Sequence, residues 1–151
     1  MAIMGDFLRN KIVDWLLRAQ AYSPPSTIYV GLMTTNATHV VGSGTEVTGG
    51  SYARVAITSS MTATGWAGTQ SAGSTAASSG AGASAVTSNN GAITFAAPTA
   101  NWGVVTGFVL MDASTAGNTL LFGPLSVSKT INNGDAAPSF SAGALVLTFD
   151  T

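Results

Sequence analysis

Acid-base or nucleophilic catalysis needs a few titratable side chains brought together with tuned pKa values, and this sequence offers few to choose from. Its single histidine, His39, stands in a glycine-rich run over residues 36–50. Beyond the first eighteen residues the carboxylates are Glu46, Asp112, Asp135 and Asp150, and no spacing rule pairs any two of them as glycoside hydrolysis would require. Asp112 and Asp135 follow or sit inside turn sequences, where a carboxylate readily accepts backbone N–H bonds. Serines abound, yet no Gly-x-Ser-x-Gly elbow leads into a helix. Gly42-Ser43-Gly44 lacks the lysine and the helix that complete a phosphate loop. There is no cysteine, hence no disulfide framework and no thiolate nucleophile or metal ligand. One histidine and scattered acids form no ligand set, which leaves open only a hard-cation site shared between subunits. The expectation is a protein that is not an enzyme, with no cofactor, no metal and no small-molecule substrate.

The elements that carry these residues are mostly strands. Residues 101–135 contain short runs rich in Val, Leu, Phe and Thr, broken at Ala116-Gly117-Asn118, at Gly123-Pro124 and at Asn133-Gly134, which predicts a three-stranded antiparallel meander. Its apolar face needs a second sheet, and STIYVGLMT, SYARVAIT, GAITFA and GALVLTFD supply candidates. Residues 5–18 are the one convincing helix: Leu8, Ile12, Trp15 and Leu16 recur on one face, and Asp6 and Arg18 complement the helix dipole. Ser23-Pro24-Pro25-Ser26 stops it. Residues 36–50 read as a long loop with a short β excursion at Val40 and Val41. Residues 64–90 form a low-complexity Gly/Ala/Ser/Thr loop too poor in apolar area to offset its ordering entropy. The predicted organisation is an N-terminal helical arm over residues 1–24 and a single β-sandwich domain over residues 25–151. The fold class is all-β: an antiparallel, jelly-roll-like β-sandwich with one N-terminal amphipathic helix. Its expected core is Ile28, Val30, Leu32, Val55, Ile57, Ile93, Phe95, Val105, Phe108, Leu110, Leu120, Phe122, Leu145, Leu147 and Phe149.

Charge is the most informative bulk property. Only 7% of the residues are charged, against about 25% in ordinary globular domains, and five of the eleven charges fall in the first eighteen positions. A β domain so poorly charged lacks a principal device that keeps sheet edges apart, so its surface is expected to be covered by copies of itself or by a partner. Trp66, Tyr52 and the Ser/Ala/Gly-rich run are candidates for that contact. A net charge of -1 gives no basic stripe for nucleic acid. Asp6, Arg9, Lys11 and Asp14 interrupt any signal-peptide core, and no run approaches the roughly 18 apolar residues of a membrane span. The expected protein is made in the cytoplasm, unprocessed, and has no membrane partner. The Asn36-Ala37-Thr38 glycosylation match is then accidental.

The succession NKIVDWLL, STIYVGLMTTNAT, GTEVTGGSYARVAI, NNGAITFAAPTANWGVVTGFVLMDASTAGNTLLFGPL and SFSAGALVLTFD resembles small virion proteins of tailed bacteriophages, described as tail fibre proteins or as capsid decoration (cement) proteins. Residues 64–88 depart from that pattern. The resemblance implies a non-catalytic protein made in the bacterial host cytoplasm and located in the virion. Its first expected role is decoration of the capsid surface, clamping neighbouring subunits of the major capsid protein as a homotrimer, since decoration proteins commonly sit at local three-fold positions. The alternative is a tail fibre or receptor- or carbohydrate-binding structural protein. The residues expected to meet a partner are Leu8, Ile12, Trp15 and Leu16 on the helix and Trp66 in the loop.

Overall fold

Three long strands whose residues are apolar on both faces force the architecture, because such strands are stable only when both faces are covered. In the computed structural model, which describes residues 2–40, 42–78 and 85–149, the elements run β1 (Ile3–Met4), α1 (Asp6–Arg18), β2 (Thr27–Thr35), β3 (Thr45–Glu46), β4 (Val55–Thr58), β5 (Val86–Ser88), β6 (Ile93–Thr94), β7 (Gly103–Met111), β8 (Thr119–Ile131), β9 (Ser139–Phe140) and β10 (Val146–Thr148). The main sheet has the order β1-β8-β7-β2-β3, with β4 also paired to β2, and every pair is antiparallel. Two short ladders, β5 with β10 and β6 with β9, form a second layer. The result is an all-β, sandwich-like fold with one helix near its start. Val41, Asp150 and residues 79–84 of the low-complexity loop lie outside the described residues.

The main core lies on one face of the large sheet, where Val30, Leu32, Val105, Phe108, Leu110 and Leu120 meet Ile93, Phe95, Leu145 and Leu147 of the second layer. The opposite face carries a smaller buried cluster of Met33, Ala37, Val109, Met111 and Phe122. Asn89 is fully buried at the second layer and fully used: its Nδ2 donates to the carbonyls of Gly91 (2.7 Å) and Ser141 (2.8 Å), and its Oδ1 accepts the Leu145 N–H (2.8 Å). That hub also draws in the low-complexity loop. Trp66 bridges Asn89, the Ala67 N–H bonds Ser88 O, and the Thr87 hydroxyl bonds Ala67 O.

Several expectations need correction. The meander is two strands, not three, because Gly123-Pro124 does not end β8. Gly107 pairs with Pro124 and Val105 with Lys129, so residues 125–128 stand opposite Thr106 alone as a wide bulge. The proline is tolerated because β1 covers only Leu121 and Phe122 of β8, and its missing donor falls on an edge. STIYVGLMT and SYARVAIT do not build an opposing sheet. Val30, Gly31, Leu32 and Met33 are all buried, so β2 requires cover on both faces and takes the sheet's interior, with β4 on its flank. Phe122 is buried, but in the smaller cluster. Phe149 is 37% exposed, since it lies past the end of β10 where no further strand covers it.

The outer flank of β2 shows how a polar contact completes this sheet. β4 pairs with Thr27 to Val30 and β3 with Met33 and Thr35, leaving the backbone at Leu32 between them. Its carbonyl accepts the Val47 N–H (3.0 Å), and its N–H donates to the Tyr52 hydroxyl (2.8 Å). Tyr52 in turn donates to Glu46 Oε1 (2.7 Å), and Arg54 grips both oxygens of Glu46 (2.8 and 2.7 Å) while donating to the carbonyls of Ala113 and Ala116 in the β7–β8 turn (2.7 and 2.8 Å). The Tyr52 ring meets Trp102 edge-on at 5.3 Å. This assembly lies directly on Gly31, where a Cβ would come 2.6 Å from Glu46 Oε1 and 2.9 Å from Val109 Cγ1.

Gly31→Ala is therefore expected to cost about 1–3 kcal/mol by overpacking, read as a lower urea midpoint at unchanged slope; an unaltered midpoint would refute the close approach. Burial, reinforced by the Glu46 carboxylate, pushes the Tyr52 hydroxyl well above its ordinary value of 10. The folded state then keeps a proton that the unfolded chain releases above about pH 10, so stability is present below that pH and falls as pH rises through it, by about 1.4 kcal/mol per pH unit. Tyr52→Phe should flatten the alkaline limb of the stability profile by one proton, and identical slopes for the two proteins would contradict the assignment.

Candidate functional site

The groups best suited to chemistry are separated and engaged in structure. Glu46 is committed to Arg54 and Tyr52. Asp112 accepts the backbone N–H (2.6 Å) and side-chain amide (2.7 Å) of Asn118, closing the β7–β8 turn, and Asp135 accepts the Asn132 N–H (2.7 Å). His39 is exposed, with Nδ1 3.5 Å from Asp6 Oδ2 at the start of α1. The Ser43 hydroxyl of the Gly-Ser-Gly run accepts the Thr38 N–H (2.7 Å) and so shapes its own loop. Among the described residues no three His, Cys, Asp or Glu side chains gather as a metal ligand set, and no helix is long and apolar enough to cross a membrane.

The uncommitted surface is apolar and belongs to α1. Its base is fixed: Ile3 and Met4 pair with Phe122 and Leu121, the Gly5 N–H bonds Leu120 O (2.9 Å), and the Asp6 N–H bonds His39 O (3.0 Å). Glycine is demanded at position 5, where a Cβ would lie 2.3 Å from the Thr119 carbonyl oxygen. Phe7 and Leu8 pack against the main core. Beyond them the helix leaves cover, and Val13, Trp15, Leu16 and Leu17 are 48, 59, 66 and 75% exposed. The helix charges pair with one another, Arg9 with Asp6 (3.6 Å) and Arg18 with Asp14 (2.7 Å), while Lys11 lies over the Phe7 ring. Among the described residues the salt-bridge partner outside the helix is His39, at Asp6 in the first turn, and no such partner reaches the charges of the second half.

The expected partner-binding residues thus have different placements. Leu8 and Ile12 are half-buried, and Leu8 serves the protein's own core. Trp15 and Leu16 are exposed together. Trp66 is half-buried against the main core beside a cavity of about 280 Å³, its indole N–H buried without a partner among the described residues. Sequence reasoning missed Val13 and Leu17, although Val13, Leu16 and Leu17 have i, i+3, i+4 spacing and so extend the apolar arc.

A second uncovered apolar surface was not legible in sequence. Where β8 bulges away from β7, a groove of about 560 Å³ opens between that bulge and β9 and β10. Leu32, Phe95 and Phe108 line it from the core, and Val127 (77% exposed) and Val146 (50% exposed) are among its outer residues. Lys129 is its one charged residue.

The profile of the family described as Podophage GP4 fiber I protein gp80 matches residues 3–148. No curated protein matches the chain.

If α1 is an outward-facing arm, truncations along it should separate. Leu8→Ala, which removes core contact, is expected to lower stability by about 1–2 kcal/mol, part of the cost of a fully buried leucine. Trp15→Ala should stay within about 0.5 kcal/mol of wild type. Equal losses in thermal unfolding would mean that Trp15 is packed on its own domain.

Proposed function

The chain belongs to this podophage fiber family, a family of phage virion structural proteins, and from that premise we propose that it is a non-catalytic fibre subunit attached to neighbouring virion protein through the uncovered face of α1. The observation that carries this reading is the cluster of Val13, Trp15, Leu16 and Leu17, exposed on a helix whose base is tied into the main sheet. Val13, Leu16 and Leu17 hold the i, i+3, i+4 spacing of helix-in-groove anchors, and Trp15 stands beside Leu16 on the flank that Leu8 and Ile12 begin; an aromatic anchor at the centre of such a contact commonly contributes about 2 kcal/mol or more. The engagement of the acidic residues in turns and in the Arg54 pair favours binding over catalysis. Capsid decoration, in which the same face would clamp neighbouring major capsid subunits, uses identical attachment chemistry and differs in location. The fiber description of the family gives the fibre reading precedence.

Immunogold labelling of intact virions distinguishes the two. Label confined to fibres is the expected result, and label spread over the head would replace the fibre reading with decoration. Trp15→Asp/Leu16→Asp protein should attach to virions with about thirtyfold weaker affinity, the equivalent of about 2 kcal/mol, read from occupancy against protein concentration, while the isolated variant melts like wild type. Wild-type occupancy would remove α1 as the attachment face.

A further inference from the structure

We propose that Asn133 is a site of spontaneous deamidation, converting to aspartate and isoaspartate, while Asn90, which also precedes a glycine, is held unreactive by the fold. The reaction needs only water and a base. Hydroxide or a buffer base takes the proton of the Gly134 backbone nitrogen, which attacks Cγ of Asn133. A bond from that nitrogen to Cγ forms, the bond from Cγ to the side-chain nitrogen breaks, and the side-chain nitrogen leaves as ammonia after taking up a proton. The resulting five-membered succinimide then adds one water. Water entering at Cγ breaks the new bond and leaves aspartate. Water entering at the Asn133 backbone carbonyl breaks the original peptide bond and leaves isoaspartate, joined to Gly134 through its side chain.

Sequence treats the two Asn-Gly pairs, Asn90-Gly91 and Asn133-Gly134, alike; the structure does not. The attacked side chain must be free to swing toward the following nitrogen. Asn90 is pinned at the second layer: its Nδ2 donates to the carbonyls of Thr62 (3.0 Å) and Ser74 (3.4 Å), its N–H bonds Gly65 O (2.9 Å), and its Oδ1 is shut off from solvent. A Cβ on Gly91 would stand 3.3 Å from Thr64 Cα, so the backbone there is packed as well. One residue earlier lies Asn89, the fully buried hub.

Asn133 and Gly134 are instead exposed in the turn that follows β8, and a Cβ on Gly134 would meet nothing within 4 Å. The backbone N–H of Asn133 bonds Asn101 Oδ1 (2.8 Å), whereas its side-chain amide has no bond among the described residues. The Gly134 N–H bonds Pro98 O (3.0 Å), so attack waits on the opening of this contact, and an exposed turn opens at far lower free energy than the fold as a whole. Either product places a carboxylate where an amide stood, moving the net charge one unit below its present -1. The new charge stands two residues from Asp135, whose carboxylate accepts the Asn132 N–H (2.7 Å). Isoaspartate also lengthens by one carbon a turn closed by the Asp135 N–H on Asn132 O (3.2 Å). Chemical ageing is thus directed to the β8–β9 connection and away from the hub at Asn89.

The test compares folded protein with protein denatured in guanidinium chloride, both incubated at mildly alkaline pH, digested in acid and mapped by mass spectrometry with fragmentation. In the denatured chain positions 90 and 133 should convert at similar rates. In the folded protein position 133 should convert at least about tenfold faster than position 90, whose release requires opening of the second layer. Asn133→Gln protein should lose the fast conversion, because the longer side chain closes a six-membered ring far more slowly. Equal folded-state rates at the two positions, or faster conversion at position 90, would overturn the proposal. So would a folded protein whose position 133 stays unchanged over the time in which the denatured chain converts.

Discussion

The Glu46 carboxylate is the point on which four segments converge: β3 that carries it, Tyr52 and Arg54 on the following loop, the backbone of β2 through the Tyr52 hydroxyl, and the β7–β8 turn through Arg54. A half-buried carboxylate without a cation would be costly, and a cation without acceptors equally so; here each group completes the other's hydrogen bonds. The central sheet depends on this because the outer flank of β2 is shared by two short strands that leave Leu32 between them. A phenol and the Val47 amide there do what a continuous edge strand does elsewhere. Gly31 is the steric condition, since only a residue without a side chain lets the carboxylate lie against the strand.

The legible part of this molecule was its periodicity. The helix limits, the alternation of Val30 and Leu32, and the inward facing of Leu145 and Leu147 all follow from residue spacing. Pairing was less legible. STIYVGLMT reads as a strand with one buried face, yet Met33 is as buried as Leu32 because loops cover the reverse of the sheet, and a local pattern carries no record of distant cover. Gly123-Pro124 reads as a break, whereas an edge position with a bulge accommodates it. The helical face was visible as Leu8, Ile12, Trp15 and Leu16, but the division between residues that serve the core and residues left in solvent depends on where the helix leaves the sheet, a tertiary fact. The groove depends on a bulge, and its lining residues are drawn from positions 32 to 146.

The low charge also has a structural counterpart. A β surface with few lysines and glutamates must manage its edges by shape, and this one does so with short strands, a proline and a bulge. Its polar surface is mostly hydroxyl and amide, used locally in contacts such as Ser51 with Thr99 (2.8 Å) and Thr106 with Asn36 (3.1 Å). Charge is concentrated instead on α1, where it pairs within the helix and accompanies the exposed apolar face. The same thirteen residues thus carry charged and exposed apolar side chains together.

The tether at Gly5 makes α1 a lever with a fixed fulcrum. Two ladder residues, a backbone bond to Leu120 and a glycine pressed on Thr119 set the direction in which the helix leaves the sheet, and its roughly 20 Å length, at about 1.5 Å per residue, carries Leu16 and Leu17 to a defined place relative to the core. A flexible tail would lose conformational freedom on every attachment, whereas this arm has lost it already in folding. A small change of angle at the fulcrum would be magnified at the tip, so the packing of one glycine against one carbonyl helps set where the exposed end of the helix lies.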